Sequence, residues 1–467
     1  MQLQRSEDFL GHPRGLAFLF ASEMWERFSY YGMRALLVLY MVEYLLTPAR
    51  MDSALGLDAL RRGLEALSGP LGPQPFASQI YGLYTGLVYL APVLGGWVAD
   101  RWLGRARTIV IGATLMAAGH FLMAFDRLFL IALLLIASGC GFFKPNISVQ
   151  VGELYAPTDA RRDRAYSIFY VGINIGAFLA PLVCGTIGET VGWHYGFACA
   201  GVGMVIGLAT YVTGLPSLPA EPRGERPPRT AQTRAQFRRS FAILMLLFLP
   251  SALFWAAFEQ QGNTIALWAA QSTDRSVDVF GRRAELPVTW FQAFNPLMIF
   301  LFTPPLVSLW TWLARHGREP STIRKMSLGC LGVALSYGVM AFAAWTSDGA
   351  QASWLWLLAY FAVITVAELH FSPIALSLVS HVAPPGSRSA LMGVWFTSMF
   401  LGNFLAGWLG GFWSRLASVY FFLLMGALGV VGALIVEAAR RPLSDLLTRH
   451  APLLSNLTPP RADMREF

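Results

Sequence analysis

Glu23, Glu26, Arg27 and Arg34 stand within one apolar run, and Lys144, Glu259 and Glu368 stand within three others. A charge at the centre of a membrane helix costs about 2.5 to 3.5 kcal/mol on insertion scales, so all seven facing lipid would cost roughly 20 kcal/mol. They are expected instead to converge on a hydrated interior and to pair with one another. At 100° per residue, Glu23, Glu26, Arg27, Tyr30 and Arg34 fall at about 0, 300, 40, 340 and 20°, one polar stripe about 100° wide. Four acids against three bases leave one negative charge when all are ionised, so one bound proton neutralises the set. An excess carboxylate in low dielectric is a natural proton site. The seven histidines compete poorly for that role. His12, His194, His316, His381 and His450 fall in loops, tails or helix ends, His120 is isolated, and His370 lies about 200° round the helix from Glu368.

Lys144 is one of only two lysines among 35 basic residues. A flexible ammonium exchanges partners readily, whereas a guanidinium favours fixed bidentate pairs. The position is therefore informative, and a Lys144 to Glu368 pair that closes between solutes is expected.

The elements that must carry these groups are membrane spans. The chain has 467 residues, 55% hydrophobic and 13% charged, with mean hydropathy +0.50, far below the charge of soluble domains, about 25%. Windows long enough to cross a bilayer recur twelve times: 14–46, 77–100, 106–126, 128–151, 164–190, 193–215, 240–270, 290–315, 321–346, 353–381, 389–413 and 416–439. The first is too long and too charged for a cleaved signal peptide. The four cysteines, Cys140, Cys184, Cys199 and Cys330, lie within spans with no CxxC spacing, so they read as small apolar filler, and no metal site or cofactor is expected.

Of the basic residues, 24 fall on the side that holds both termini, 8 on the other and 3 inside spans. By the positive-inside bias both termini are expected in the cytoplasm; the protein is expected in a plasma membrane, the inner membrane of a bacterium. The same bias accounts for the net charge of +8 without a nucleic-acid partner, and no obligatory protein partner is indicated.

Residues 216–239 hold five prolines and six arginines and read as a cytoplasmic linker. It separates a six-helix bundle at 1–215 from another at 240–440, with a tail at 441–467. "GAFLAPLVCG" from Gly176 echoes "GNFLAGWLGG" from Gly402, as expected of two repeats around a midplane cavity. The loop after the first span, "SALGLDALRRGLEALSG", has leucines at helical spacing and reads as a short amphipathic helix on the outer surface. The fold class is thus an all-α membrane protein of twelve spans in two pseudo-symmetric bundles.

Several motifs resemble one family in the right order. "EMWERFSYYG" resembles the ExxER signature in the first span of the proton-coupled oligopeptide transporters of the major facilitator superfamily. "GFFKPNIS", "FYVGINIGAFLAPL", "FWAAFEQQG" and "FQAFNPL" are similar to that family's fourth, fifth, seventh and eighth spans, and "GGWVADRWLGR" resembles the general major facilitator loop. The resemblance implies the major facilitator fold and a symporter of di- and tripeptides with protons, the proton being the only coupling ion. It implies a proton-coupling role for Glu23, Glu26 and Arg27. Arg34 and Lys144 would meet the peptide carboxylate, and Glu368 its amino terminus, assisted by Asn174 and Asn295. Tyr30, Tyr31, Tyr89, Trp255 and Trp395 match pocket aromatics, and Glu259 matches the acid of the seventh span. Gly96, Asp100, Arg101, Gly104 and Arg105 belong to the gating loop.

Two departures stand out: many bacterial members insert two extra helices between the halves, which 24 residues cannot supply, and mammalian members carry a histidine in the second span where this chain has Gly82. The competing readings are a symporter of nitrate or a modified amino acid, a non-transporting nutrient sensor, which needs a large signalling domain, and an intramembrane enzyme, for which no HExxH or GxSxG motif is present.

Overall fold

The computed structural model describes residues 9–51, 53–156, 158–159, 161–219, 231–279, 281–383, 388–444 and 446. Twelve helices span: α1 (Gly15–Tyr40), α3 (Pro73–Val98), α4 (Arg105–Leu122), α5 (Phe129–Glu153), α6 (Arg161–Ala180), α7 (Trp193–Gly214), α8 (Ala231–Phe258), α9 (Phe294–Arg315), α10 (Thr322–Ser347), α11 (Leu355–Val382), α12 (Arg388–Gly410) and α13 (Ser418–Ala438). Between the first two lies α2 (Leu57–Ser68), the amphipathic helix. It buries Leu57 and Leu64 and leaves Leu67 exposed. The N–H of Leu71, assisted by Arg61, holds the Glu65 carboxyl below the usual carboxylate range.

Ten spans contain a long apolar window with no more than two charged residues. The other two are α1, broken by its own charges, and α4, which opens on Arg105 and Arg107. α8 is described from Ala231, inside the stretch read as linker, and residues 231–239 contain neither proline nor glycine. The proline-rich stretch 220–230 and the tail beyond 446 lie outside the described residues. The all-α reading gains two short strand pairings, a hairpin of Ser276–Val279 with Arg282–Glu285 and a parallel pair of Thr273–Asp274 with Ala352–Ser353.

The helix pairings repeat between the halves. α1 packs on α6 and α7 as α8 packs on α12 and α13; α4 packs on α5 and α7 as α10 packs on α11 and α13; α3 meets α5 as α9 meets α11. Across the interface the main seams are α3 with α12 and α6 with α9, which the same symmetry exchanges. The first seam is closed by glycine. A Cβ on Gly82 would lie 2.6 Å from the backbone of Gly407 and from the carbonyl of Asn403, so only hydrogen lets the helices come this close. That is the physical content of glycine at this position.

These contacts gather at the end away from the described termini, here called the distal end. Ser78 donates to Asn263 at 2.8 Å and Gln74 to the Gly410 carbonyl at 3.1 Å, each bond joining one half to the other. α8 breaks at Glu259–Gly262 into a tighter 3-10 turn before resuming as Thr264–Gln271. Irregular backbone at membrane depth is tolerated where protein buries it, and here Gln260 donates to the Ala406 carbonyl at 2.8 Å.

Candidate functional site

Because α1 keeps a regular helix from Gly15 to Tyr40, its polar residues form the expected stripe, and Glu23, Glu26, Arg27, Tyr30 and Arg34 are all buried. Arg27 is the hub of the lower part. Its Nε and Nη2 donate to the two oxygens of Glu26, and Glu23 lies 3.2 Å from Nε. From α5, the Cys140 thiol donates to Glu26 at 3.5 Å and accepts from Arg27 Nη2 at 3.8 Å. Cys140 is thus part of the carboxylate cluster, which corrects its reading as filler. The second oxygen of Glu23 is buried without a hydrogen-bond partner among the described residues. α6 approaches this cluster closely because Gly176 has no side chain: a Cβ there would lie 2.2 Å from the Met24 carbonyl.

Two turns further on, Arg34 crosses the interface. Its Nη2 donates to Glu259 at 2.6 Å and its Nε to the Tyr81 hydroxyl at 2.8 Å. The break in α8 puts Glu259 at this point, and Gly262 leaves room for Tyr81, since a Cβ there would lie 2.2 Å from the Tyr81 hydroxyl. Tyr81 was not singled out from sequence. A signal was present: Tyr81, Tyr84 and Val88 recur at i, i+3 and i+7 on one buried face of α3.

Lys144 and Glu368 do not pair. The Lys144 ammonium sits 5.2 Å from the centroid of the Tyr89 ring, and Glu368 accepts from Asn295 at 2.8 Å. The expected pair is replaced by Arg34 with Glu259 because the halves meet at the distal end, whereas α5 and α11 leave both side chains half-buried. Lys144 remains within electrostatic range of Glu23 and Glu26. The Asn295 amide also reaches Thr365, at 3.0 Å, so it is fixed between two side chains of α11. Asn174 is buried and donates to the Tyr170 carbonyl of its own helix, at 2.9 Å; it is not brought to Glu368 by any described bond.

The aromatics split between the halves. Tyr30 lies under Arg27, 5.5 Å from ring centroid to guanidinium carbon, and packs on Tyr31, itself 5.8 Å from the Arg34 guanidinium carbon. Trp395 stacks towards Phe371, whose ring lies 4.0 Å from that of Phe254, and Trp255 packs on Phe254 and Phe258. Tyr89 and Trp255 face each other across the interface at 6.4 Å. The Trp255 indole N–H is buried with no partner among the described residues.

In the loop after α3, Gly104 has φ +75°, a left-handed conformation that favours glycine. It turns the chain so that Arg105 pairs with Glu153 of α5 and lies 3.8 Å from Asp100. Arg105 therefore ties three spans of one half together. Arg101 is exposed, and Gly96 faces open space. Among the described residues no cluster of three His, Cys, Asp or Glu could hold a metal.

Comparison with known proteins agrees with this architecture. The family model described as the POT family matches residues 106–237 and 227–420. A di-/tripeptide transporter of Lactococcus lactis subsp. cremoris is 34% identical across 94% of this chain and 97% of its own length. A peptide transporter of Yersinia enterocolitica is 35% identical across 86% and 88%. Among solved structures, a peptide transporter POT in complex with sulfate superposes with TM-score 0.78 at 31% identity, covering 95% of this chain and 97% of that one. A POT family transporter in complex with 5-aminolevulinic acid gives TM-score 0.78 at 25% identity over 94% and 98%. With a buried acid–arginine cluster on α1, two six-helix halves of matching plan and relatives at this identity over nearly its whole length, the chain belongs to the POT family and has the major facilitator fold of twelve membrane helices.

Proposed function

We propose that this protein is a secondary active symporter that takes up di- and tripeptides with protons by alternating access, its terminal side being cytoplasmic. The observation that carries the reading is the division of charge across the interface. Arg34 and Lys144 belong to one half, Glu259 and Glu368 to the other, and only Arg34 and Glu259 touch. A zwitterionic peptide has a carboxylate for the first pair and an ammonium for the second, so binding draws the halves together. The aromatic walls supply contacts that tolerate varied side chains. The names of the relatives, di-/tripeptide and peptide transporters, support the same solute.

In the proposed cycle, a proton arriving from outside at Glu23 or Glu26 loosens their hold on Arg27. Peptide then bridges Lys144 and Glu368, the halves rock, and the proton leaves to the cytoplasm. One charge moved inward supplies about 2.3 kcal/mol per 100 mV, roughly a 50-fold concentration ratio. The complex of a relative with 5-aminolevulinic acid, another solute with amine and carboxylate at its two ends, fits the same two poles.

The test is uptake of a labelled dipeptide into liposomes under an imposed pH gradient and potential. Glu26→Gln is expected to abolish accumulation against a gradient while retaining solute exchange. Unchanged accumulation would remove the proton assignment.

A further inference from the structure

The second seam between the halves, α6 against α9, is fastened by a carboxylate. Glu189 lies one residue before the end of the helical stretch Arg161–Thr190 that continues α6. One of its oxygens accepts the N–H of Val288 at 2.8 Å; the other accepts the N–H of Thr289 at 2.9 Å and its hydroxyl at 2.7 Å. Val288–Ala293 is a 3-10 turn running straight into α9. These two N–H groups open the helix and have no acceptor within it, and the helix dipole makes that end favourable to negative charge. The Trp290 indole donates to Thr186 at 2.8 Å beside them. Gly185 lets Thr289 approach, since a Cβ there would lie 2.0 Å from the Thr289 hydroxyl. Thr289 is fully buried while Glu189 keeps partial exposure, so water reaches the carboxylate but not its partner.

The symmetry-related seam, α3 against α12, carries no charge at its tightest point, only Gly82 against Gly407. One seam is thus closed by glycine contact with neutral hydrogen bonds beside it, and the other by a carboxylate whose hydrogen bonds hydration can replace. We propose that Glu189 is a positioning residue, a latch that holds the distal ends of α6 and α9 together and thereby sets the balance between the two facing states. The proposal rests on the alternating-access reading above, because its bonds connect parts that this reading separates. Both carboxylate oxygens are occupied as acceptors. Glutamine keeps the size but turns an N–H₂ toward a donor, so Glu189→Gln opposes closure without leaving a hole.

The experiment measures the distance between spin labels carried by unnatural amino acids at Val191 and Gln351, both exposed at the distal end and one on each half. The full chain is used in liposomes with all four cysteines kept. The wild type is expected to show a short and a long distance whose ratio dipeptide shifts. Glu189→Gln is expected to move that ratio toward the long distance by about 10-fold and Thr289→Val by about 3-fold, the ranges for losing charge-assisted bonds and one neutral bond. Two distances in the wild type with a ratio unchanged in both variants would overturn the latch while leaving alternating access intact. Should Glu189→Gln not fold, Thr289→Val decides alone, an unchanged ratio again overturning the latch. A single distance that dipeptide does not shift would overturn alternating access and the latch with it.

Discussion

In the N-terminal half the carboxylates of Glu23 and Glu26 have a guanidinium of their own, Arg27, whereas in the C-terminal half Glu259 takes Arg34 from across the interface and Glu368, among the described residues, is held by the amide of Asn295. Both halves repeat one helix plan, so the difference is not architectural. Of the seven charges, the first half holds two acids and three bases, the second two acids and no base. Each half alone is electrically unbalanced, and attraction across the interface is the consequence. A proton or a zwitterion entering that interface changes the balance directly, and no relay through the fold is required.

The largest effect should come from breaking the self-contained side. Arg27→Met leaves Glu23 and Glu26 buried without their cation, and removing one partner of a buried ion pair costs about 3–5 kcal/mol. The thermal unfolding midpoint of the purified protein, followed by tryptophan fluorescence, should fall by several degrees, and peptide uptake should vanish. An unchanged midpoint would mean that the acids stay neutral or find other partners, and the contrast between the halves would fail.

Exchanging the partners across the interface sharpens the comparison. Arg34→Glu or Glu259→Arg alone places two like charges 2.6 Å apart in the present geometry and should destabilise the distal-closed state. The double exchange restores the pair with reversed polarity, with a coupling energy of about 0.5–3 kcal/mol in a double-mutant cycle of unfolding. Uptake should not return with it, because the cation that would meet a peptide carboxylate now stands on the wrong half. Recovery of both stability and uptake would show that Arg34 has no part in binding.

The third prediction concerns the uncharged seam. Gly82→His puts a ring where even a Cβ lies 2.6 Å from the α12 backbone, and overpacking of this kind costs about 1–3 kcal/mol. The cost falls on the distal-closed state, so the long distance between the labelled ends should gain population, and Gly82→Ala should act in the same direction by less. Equal populations in all three proteins would mean that α12 yields at no cost.

What was legible in the residues was whatever follows from local periodicity. The span positions, the stripe on α1 and the equivalence of the halves depend on apolar length and on 100° per residue, and neither requires knowledge of the partner helix. Pairing was less legible. Lys144 and Glu368 share a chemistry that invites a bond, but which ions meet depends on which end of the interface is closed, a property of docking between halves that no local pattern records. Cys140 passed for filler because a thiol in an apolar span normally is filler; its contact with Glu26 comes from α5 crossing α1. Glu189 and Tyr81 escaped for a similar reason. One sits near a helix end, where acids are ordinary, and the other is one of 15 tyrosines. The helical character of 231–239 was not legible because arginine and proline dominate the composition of 216–239, although these last nine residues contain neither proline nor glycine.

The smallest structural effect and the most selective functional one are expected at Glu368. Its bond is with a neutral amide donor, and Glu368→Gln can keep an oxygen facing Asn295. A neutral pair in place of a charged one, at a half-buried position, should leave the unfolding midpoint within about 1 kcal/mol of the wild type, the span of an ordinary hydrogen bond. The negative pole for a peptide ammonium is nevertheless gone. Dipeptide affinity, measured by competition in exchange assays, should fall by about 10-fold or more, the range for losing a charged partner. A dipeptide with a blocked amino terminus, which never had that attraction, should bind wild type and variant alike. If the blocked peptide loses affinity by the same factor as the free one, Glu368 acts through the shape of the site, and the charge asymmetry between the halves is not what orients the solute.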